Sequence, residues 1–277
     1  MNRLISIVLV ALLSCSCIPA KPTGNRPAPR AATPAVQTKS VLQTPSGVSG
    51  LEIPAFGNNQ NIIKHPGYTS CFNTSYLIPD WVAYELTAQE LRGTVKRPKN
   101  SPFQPDPSFR GRQPDRFDYS NSGWDKGHMS PCADMKWSDD AMFESFYFTN
   151  VCPQNHSMNA GDWQTLEEKA RDIANAKGSL YIVCGPIIGR NQYGTIGAQR
   201  VVVPDAFFKA FLYKDNSGFH SIAFVMPNEE RHHLLKYYAL TVNEVEAMTG
   251  FDLFFKLSDQ VEESVESQLN LADWMIR

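Results

Sequence analysis

The sequence predicts an α+β fold built on a mixed, largely antiparallel sheet. Three observations carry that expectation: several short runs of aromatic and branched residues, one long helical pattern after Asn159, and no regular strand–helix alternation between them. No internal repeat is present. With 277 residues, 42% of them hydrophobic and 19% charged, the chain has a globular composition and room for one large domain or two small ones.

At the N-terminus, Arg3 precedes an apolar run over residues 4–13 that is too short to span a bilayer. The run meets Leu12-Leu13-Ser14-Cys15, which is similar to a bacterial lipoprotein signal in which Cys15 is acylated and anchors the chain to a membrane. Cys17 competes as the modified residue, and plain secretion with cleavage near Ser16 or Ala20 is the alternative. Residues 1–17 are therefore expected to be an export signal, placing the protein in the periplasm, at the cell surface or outside. Residues 18–54 are rich in Pro, Ala, Thr, Ser and Gly and hold no aromatic side chain, so they cannot bury enough surface to offset ordering entropy. They are expected to be a disordered tether, followed by one folded domain over residues 55–277.

Within that domain, residues 81–86 (Trp-Val-Ala-Tyr-Glu-Leu) read as a strand. Residues 87–119 are polar and Pro-rich and carry Arg92, Lys96, Arg97, Lys99, Arg110, Arg112 and Arg116 among few acids. Loops this long inside a domain are usually functional, with a solvated surface loop as the alternative. Ser138 opens a short helix, residues 146–149 read as a strand, and the helical pattern after Asn159 runs to about residue 176, with Gly178 as its stop. Runs at 179–184, 206–213 and 220–225 read as strands, and Thr241-Val242-Asn243-Glu244 is a capping box opening a helix through residue 247.

The formal net charge of −2 excludes a polycation, so attraction to nucleic acid has to come from a local basic patch. Beyond Cys15 and Cys17 stand Cys71, Cys132, Cys152 and Cys184, whose spacing is not a metal-ligand pattern. Disulfides and buried free thiols are both open for them.

Two segments carry chemistry. In Asp125-Lys126-Gly127-His128, Gly127 permits a tight or positive-φ turn that presents the imidazole at a loop tip. In the second, an N-x8-N-x3-W-x3-E spacing runs from Asn150 to Glu167. At 100° per residue Asn159, Trp163, Leu166, Glu167, Ala170, Ile173 and Ala174 share about 120° of a helix. Asn159 and Glu167 thus sit in an apolar stripe and require partners, for which a hydrated cation is suited and a core hydrogen bond or helix cap is the plain alternative.

Together the two segments resemble the DNA/RNA non-specific endonuclease family of ββα-metal fold. That family carries D-R-G-H, then N-x-x-P-Q, then N-x3-W-x2-L-E; here stand Asp125-Lys126-Gly127-His128, Asn150-Val151-Cys152-Pro153-Gln154, and Asn159 through Trp163 to Leu166-Glu167. The similarity extends over residues 81–254, including Val183-Cys184-Gly185-Pro186. It implies a ββα-metal (His-Me finger) site and cleavage of DNA and RNA with little sequence preference. It also implies His128 as general base, Asn159 as ligand to Mg2+ (or Mn2+ or Ca2+), Glu167 orienting metal-bound water, and Asn150 bracing the site by hydrogen bonds. Lys126 departs from the family's Arg: it keeps the charge and loses the planar fork. Arg97 is the candidate transition-state arginine, Arg110 and Arg112 are further candidates for holding substrate, and a homodimer is expected by likeness to dimeric relatives.

The competing expectation is a catalytically weak surface lipoprotein that binds nucleic acid or a protein. A zinc hydrolase is disfavoured, because none of the six histidines falls in an H-x3-H arrangement with a partner acid.

Overall fold

The computed structural model describes residues 49–100 and 102–276. The export signal, Cys15 and nearly all of the expected tether lie outside the described residues. In chain order the elements are β1 (Asn61–Lys64), β2 (Thr69–Asn73), β3 (Ile78–Thr87), β4 (Asp125–His128), α1 (Asp139–Glu144), β5 (Val151–Gln154), α2 (His156–Met158) and α3 (Gln164–Lys177). There follow β6 (Ser179–Ile187), β7 (Thr195–Ile196), β8 (Val201–Val202), β9 (Ala206–Asp215), β10 (Gly218–Pro227), β11 (Ala239–Leu240), α4 (Val242–Thr249) and α5 (Asp259–Glu266).

Seven strands form one sheet in the order β1-β2-β3-β6-β9-β10-β11, with every neighbouring pair antiparallel. Its central strands are apolar almost continuously because both faces are covered. On β9, Phe207, Phe211 and Tyr213 pack with Trp163, Leu166 and Ile173, while Phe208, Ala210 and Leu212 pack on the opposite face with Val242, Val245 and Val261. The period-2 alternation of a strand therefore separates two cores rather than a core from water. Burial of Leu166 and Ile173, both within 1% of full, stabilises α3 on the sheet by roughly 1.5–3 kcal/mol each.

The helix signals act as expected. Ser138 Oγ accepts from Ala141 N at 3.3 Å at the start of α1, Gly178 (φ 92°) ends α3, and Thr241 and Glu244 make the reciprocal capping box of α4.

Three expectations change and one open choice closes. Residues 146–149 join no strand ladder: Tyr147 makes one isolated parallel bridge with Gln104, Asn150 N bonds back to Tyr147 O, a 3-10 turn spans Phe148–Asn150, and the ladder starts at Val151. Their apolar character serves burial, since Phe146 and Phe148 are wholly enclosed. The tether does not reach residue 54, because Leu51 is buried in the core beside Leu253 and Phe254. Of the two states open for the cysteines, the structure has the thiols: Cys71, Cys132, Cys152 and Cys184 are all free and buried. Gly127 makes no positive-φ turn, and His128 lies on β4 rather than at a loop tip. No described helix is long and apolar enough to cross a membrane.

Candidate active site

Outside the main sheet, β4 and β5 pair antiparallel, with Gly127 opposite Cys152 and His128 opposite Val151. The glycine is needed for close approach: a Cβ at Gly127 would stand 1.8 Å from Gln154 Oε1. Strand alternation turns Lys126 and His128 to the same side. Asn150, fully buried, braces the ribbon without reaching the cavity. Its Oδ1 accepts from Ser130 N at 2.8 Å, and its Nδ2 donates to Ser130 O and Ser145 O at 2.9 and 2.8 Å.

After β5, Asn155 caps the short α2 by accepting from Ser157 N and Met158 N. A widened π-type turn, Asn159–Trp163, then joins α2 to α3, with Gly161 in a non-helical conformation (φ −115°, ψ −105°). The single 100° phase expected from Asn159 to Glu167 is therefore broken at Gly161, although Trp163, Leu166, Ala170, Ile173 and Ala174 all reach the core. The break leaves Asn159 and Glu167 on the wall of one cavity of about 410 Å3, shared with Arg97, Lys126, His128 and Arg171.

Asn159 is steered. Its Nδ2 donates to Asp125 Oδ2 at 2.9 Å, and that oxygen also meets His156 Nδ1 at 2.8 Å. Holding the amide nitrogen leaves its Oδ1 as the group offered to the cavity. His128 Nε2 is buried with no hydrogen-bond partner among the described residues, while the ring packs against Phe103 and Phe146 at 5.1 and 5.0 Å between centroids. Burial, and then the Arg97 charge, push this imidazole down to about 3, so it is neutral at physiological pH.

Behind the cavity lies a buried charge network. Lys209 is fully enclosed; its Nζ donates to Met129 O at 3.3 Å, stands 3.9 Å from Glu167 Oε1 and lies 4.5 Å over the Trp163 ring. Asp134, also buried, accepts from Arg171 at 2.9 Å and Tyr84 Oη at 3.0 Å. Burial raises Glu167 to about 7, against the pull of Lys209 and Arg171 and with the push of Asp134. A buried lysine needs counter-charge, and here it links the backbone beside His128 to the carboxylate of α3.

An amide oxygen with a carboxylate on the same cavity is an oxygen donor set, which suits a hard, largely hydrated cation such as Mg2+. Among the described residues no three His, Cys, Asp or Glu side chains converge on one point, so the donor set is unlike a zinc cage.

Of the expected substrate contacts, Arg97 lies at the cavity, over the Phe146 ring at 5.4 Å. Arg110 and Arg112 do not: both are exposed elsewhere, and Arg112 bonds Gln199. Sequence reasoning passed over Arg171, whose i+4 spacing from Glu167 was the available signal, and Lys209, whose burial inside a strand left no signal. It also left Arg116 in the basic run without a role, although this residue lines a second cavity of about 720 Å3 that shares Arg97, Asp125, Lys126 and Asn159 with the first.

A two-stranded ribbon followed by a helix, with an imidazole from the ribbon and an amide from the helix entry on one cavity, defines a ββα unit. The chain belongs to the DNA/RNA non-specific endonuclease family, whose model matches residues 49–260. It is 30% identical over 269 residues to a mitochondrial nuclease EXOG of Xenopus laevis, covering 90% of this chain and 71% of that one. To a nuclease of Nostoc sp. it is 29% identical over 251 residues, covering 86% and 88%. The crystal structure of an EndoG/EndoGI complex, concerned with EndoG inhibition, superposes with a TM-score of 0.67 at 26% identity, over 72% of this chain and 88% of that chain.

Proposed function

We propose that the protein is an exported, metal-dependent endonuclease that hydrolyses phosphodiester bonds of DNA and RNA with little sequence preference. One observation carries this most directly. A neutral His128 imidazole and the steered Asn159 amide line a single cavity together with Arg97, Lys126 and Arg171.

In the proposed reaction the His128 imidazole accepts a proton from a water molecule in the cavity as that oxygen attacks phosphorus. The bond to the 3′-oxygen breaks and that oxygen takes up a proton, leaving 5′-phosphate and 3′-hydroxyl ends. An imidazole held neutral is ready for this role, and general-base catalysis is typically worth about 10²–10⁴-fold. Asn159 Oδ1 would hold the Mg2+ ion, and Asp125 fixes the orientation of that amide. When bound, the cation supplies positive charge to the phosphate and the leaving oxygen. Lys126 and Arg97 bind phosphate oxygens, and Glu167, backed by Lys209, orients water near Asn159. Such contacts on the phosphate backbone carry no sequence information.

The N-terminal pattern ending in Cys15 supports export with a lipid anchor, and likeness to dimeric relatives supports a homodimer. The test is plasmid cleavage with Mg2+, with and without chelator, for wild type, His128→Ala and Asn159→Ala. Wild type is expected to nick and linearise the plasmid, chelator to stop it, and His128→Ala to slow it by about 10²-fold or more while keeping its thermal unfolding midpoint. A wild-type protein that retards DNA on a gel and never cuts it would turn the assignment to a binding lipoprotein.

A further inference from the structure

The 720 Å3 cavity beside the catalytic one is walled by both cations and rings: Arg97, Arg116, Lys126, Phe103, Phe117 and Trp124. Phe117 is 67% exposed, more than almost any other large apolar side chain among the described residues. Its backbone is nonetheless fixed. Asp115 Oδ1 accepts from Phe117 N at 2.7 Å, and Phe117 O accepts from Ser120 N at 3.1 Å. The buried Asp118 accepts from Asp115 N and Gln199 N at 2.9 and 2.8 Å, closing the turn and tying it to the segment before β8.

A lone exposed phenylalanine needs no explanation. This one stands on a hydrogen-bonded turn at the rim of a basic groove, with the Arg116 guanidinium 4.8 Å from its ring and the candidate reaction centre next door. Lys126 reaches both cavities and lies 5.7 and 5.6 Å over the Phe103 and Tyr119 rings. A positive groove interleaved with ring faces is the chemistry that receives single-stranded nucleic acid: the cations follow phosphates and the rings stack on bases. In a duplex the bases already stack on each other, so a ring at the groove's edge has little to offer them.

We infer that this groove is a subsite for unpaired nucleotides flanking the scissile phosphate, with a base stacked on Phe117 beside Arg116. The inference rests on the nuclease assignment for its biological meaning, but binding tests it separately. The probe is a short fluorescein-labelled single strand of mixed sequence, titrated in chelator and followed by anisotropy, alongside the same strand annealed to its complement. Phe117→Ala is expected to weaken single-strand binding roughly tenfold and duplex binding no more than about twofold, and Phe117→Trp to restore the single-strand value. In Mg2+ the ratio of single-strand to duplex kcat/KM is expected to fall in step. Equal losses on both substrates, or no loss on the single strand, would overturn the stacking role. Should wild type fail to cut either substrate while the binding difference persists, the hydrolase assignment falls and the groove stands.

Discussion

Two buried polar residues illustrate opposite solutions to one problem. Lys209 has no exposure, but Glu167, the Met129 carbonyl and the Trp163 ring surround its ammonium. Glu266, at the end of α5, is 2% exposed, and its Oε1 has no partner among the described residues. Burial, followed by the charges of Glu246, Glu262, Asp252 and Glu263, raises it to about 9. A carboxyl with a raised folded pKa binds more protons folded than unfolded between the two pKa values, so its contribution to stability is intact below about pH 4.3 and is lost as pH climbs towards about 9. Glu266→Gln removes that loss. Thermal melts should show the variant above wild type at about pH 8, with the gap closing near pH 4. An equal gap at both pH values would mean that packing, not charge, separates them.

At the scale of elements, the long segment between β3 and β4 is pinned by backbone bonds at Val95 and Gln104 and, at Asp106, by a buried histidine. His65 is buried between Asp106 Oδ2, 2.9 Å from Nε2, and Glu144 Oε2, 2.8 Å from Nδ1. Asp106 also accepts from Thr149 Oγ1 at 2.7 Å and Ser108 N at 2.8 Å. Together with the backbone bonds of Val95 and Gln104, this knot holds the stretch that carries Arg97 and Phe103 to the cavity. His65→Ala should cost about 3 kcal/mol in urea unfolding, because it strands a buried carboxylate, and should lower cleavage beyond what partial unfolding explains. Full activity at wild-type stability would show that the segment is held some other way. None of this was legible in the sequence. The spacing of Asn159, Trp163 and Glu167 was legible as a unit, and Asn159 and Glu167 do line one cavity, although the single helical face expected of them is broken at Gly161. The π-type turn was not, because it depends on Gly161 bending in context, and residues 146–149 misled because enclosed turns and strands share the same apolar composition. Gly127 was visible as a special position, but the reason lies across the ribbon at Gln154.

At the scale of the molecule, the α+β class and antiparallel sheet followed from short apolar runs, whereas strand order and the two-sided burial of β9 depend on contacts distant in sequence. Charge makes the same distinction between whole and part. A net charge of −2 gives no overall attraction to a polyanion, so binding must be local. Arg97, Arg116 and Lys126 line the groove, enough for about three phosphate contacts; for single strands each contact contributes about −0.7 to the slope of log K against log salt concentration. A slope of about −2 is therefore expected, and Arg116→Ala should make it shallower by about 0.7 while lowering affinity alike for every sequence. The measurement is anisotropy over a salt series in chelator, with two single strands of unrelated sequence. A slope near zero would place the binding energy in uncharged contacts, and a sequence-dependent loss on Arg116→Ala would make that arginine a reader of bases rather than a phosphate clamp.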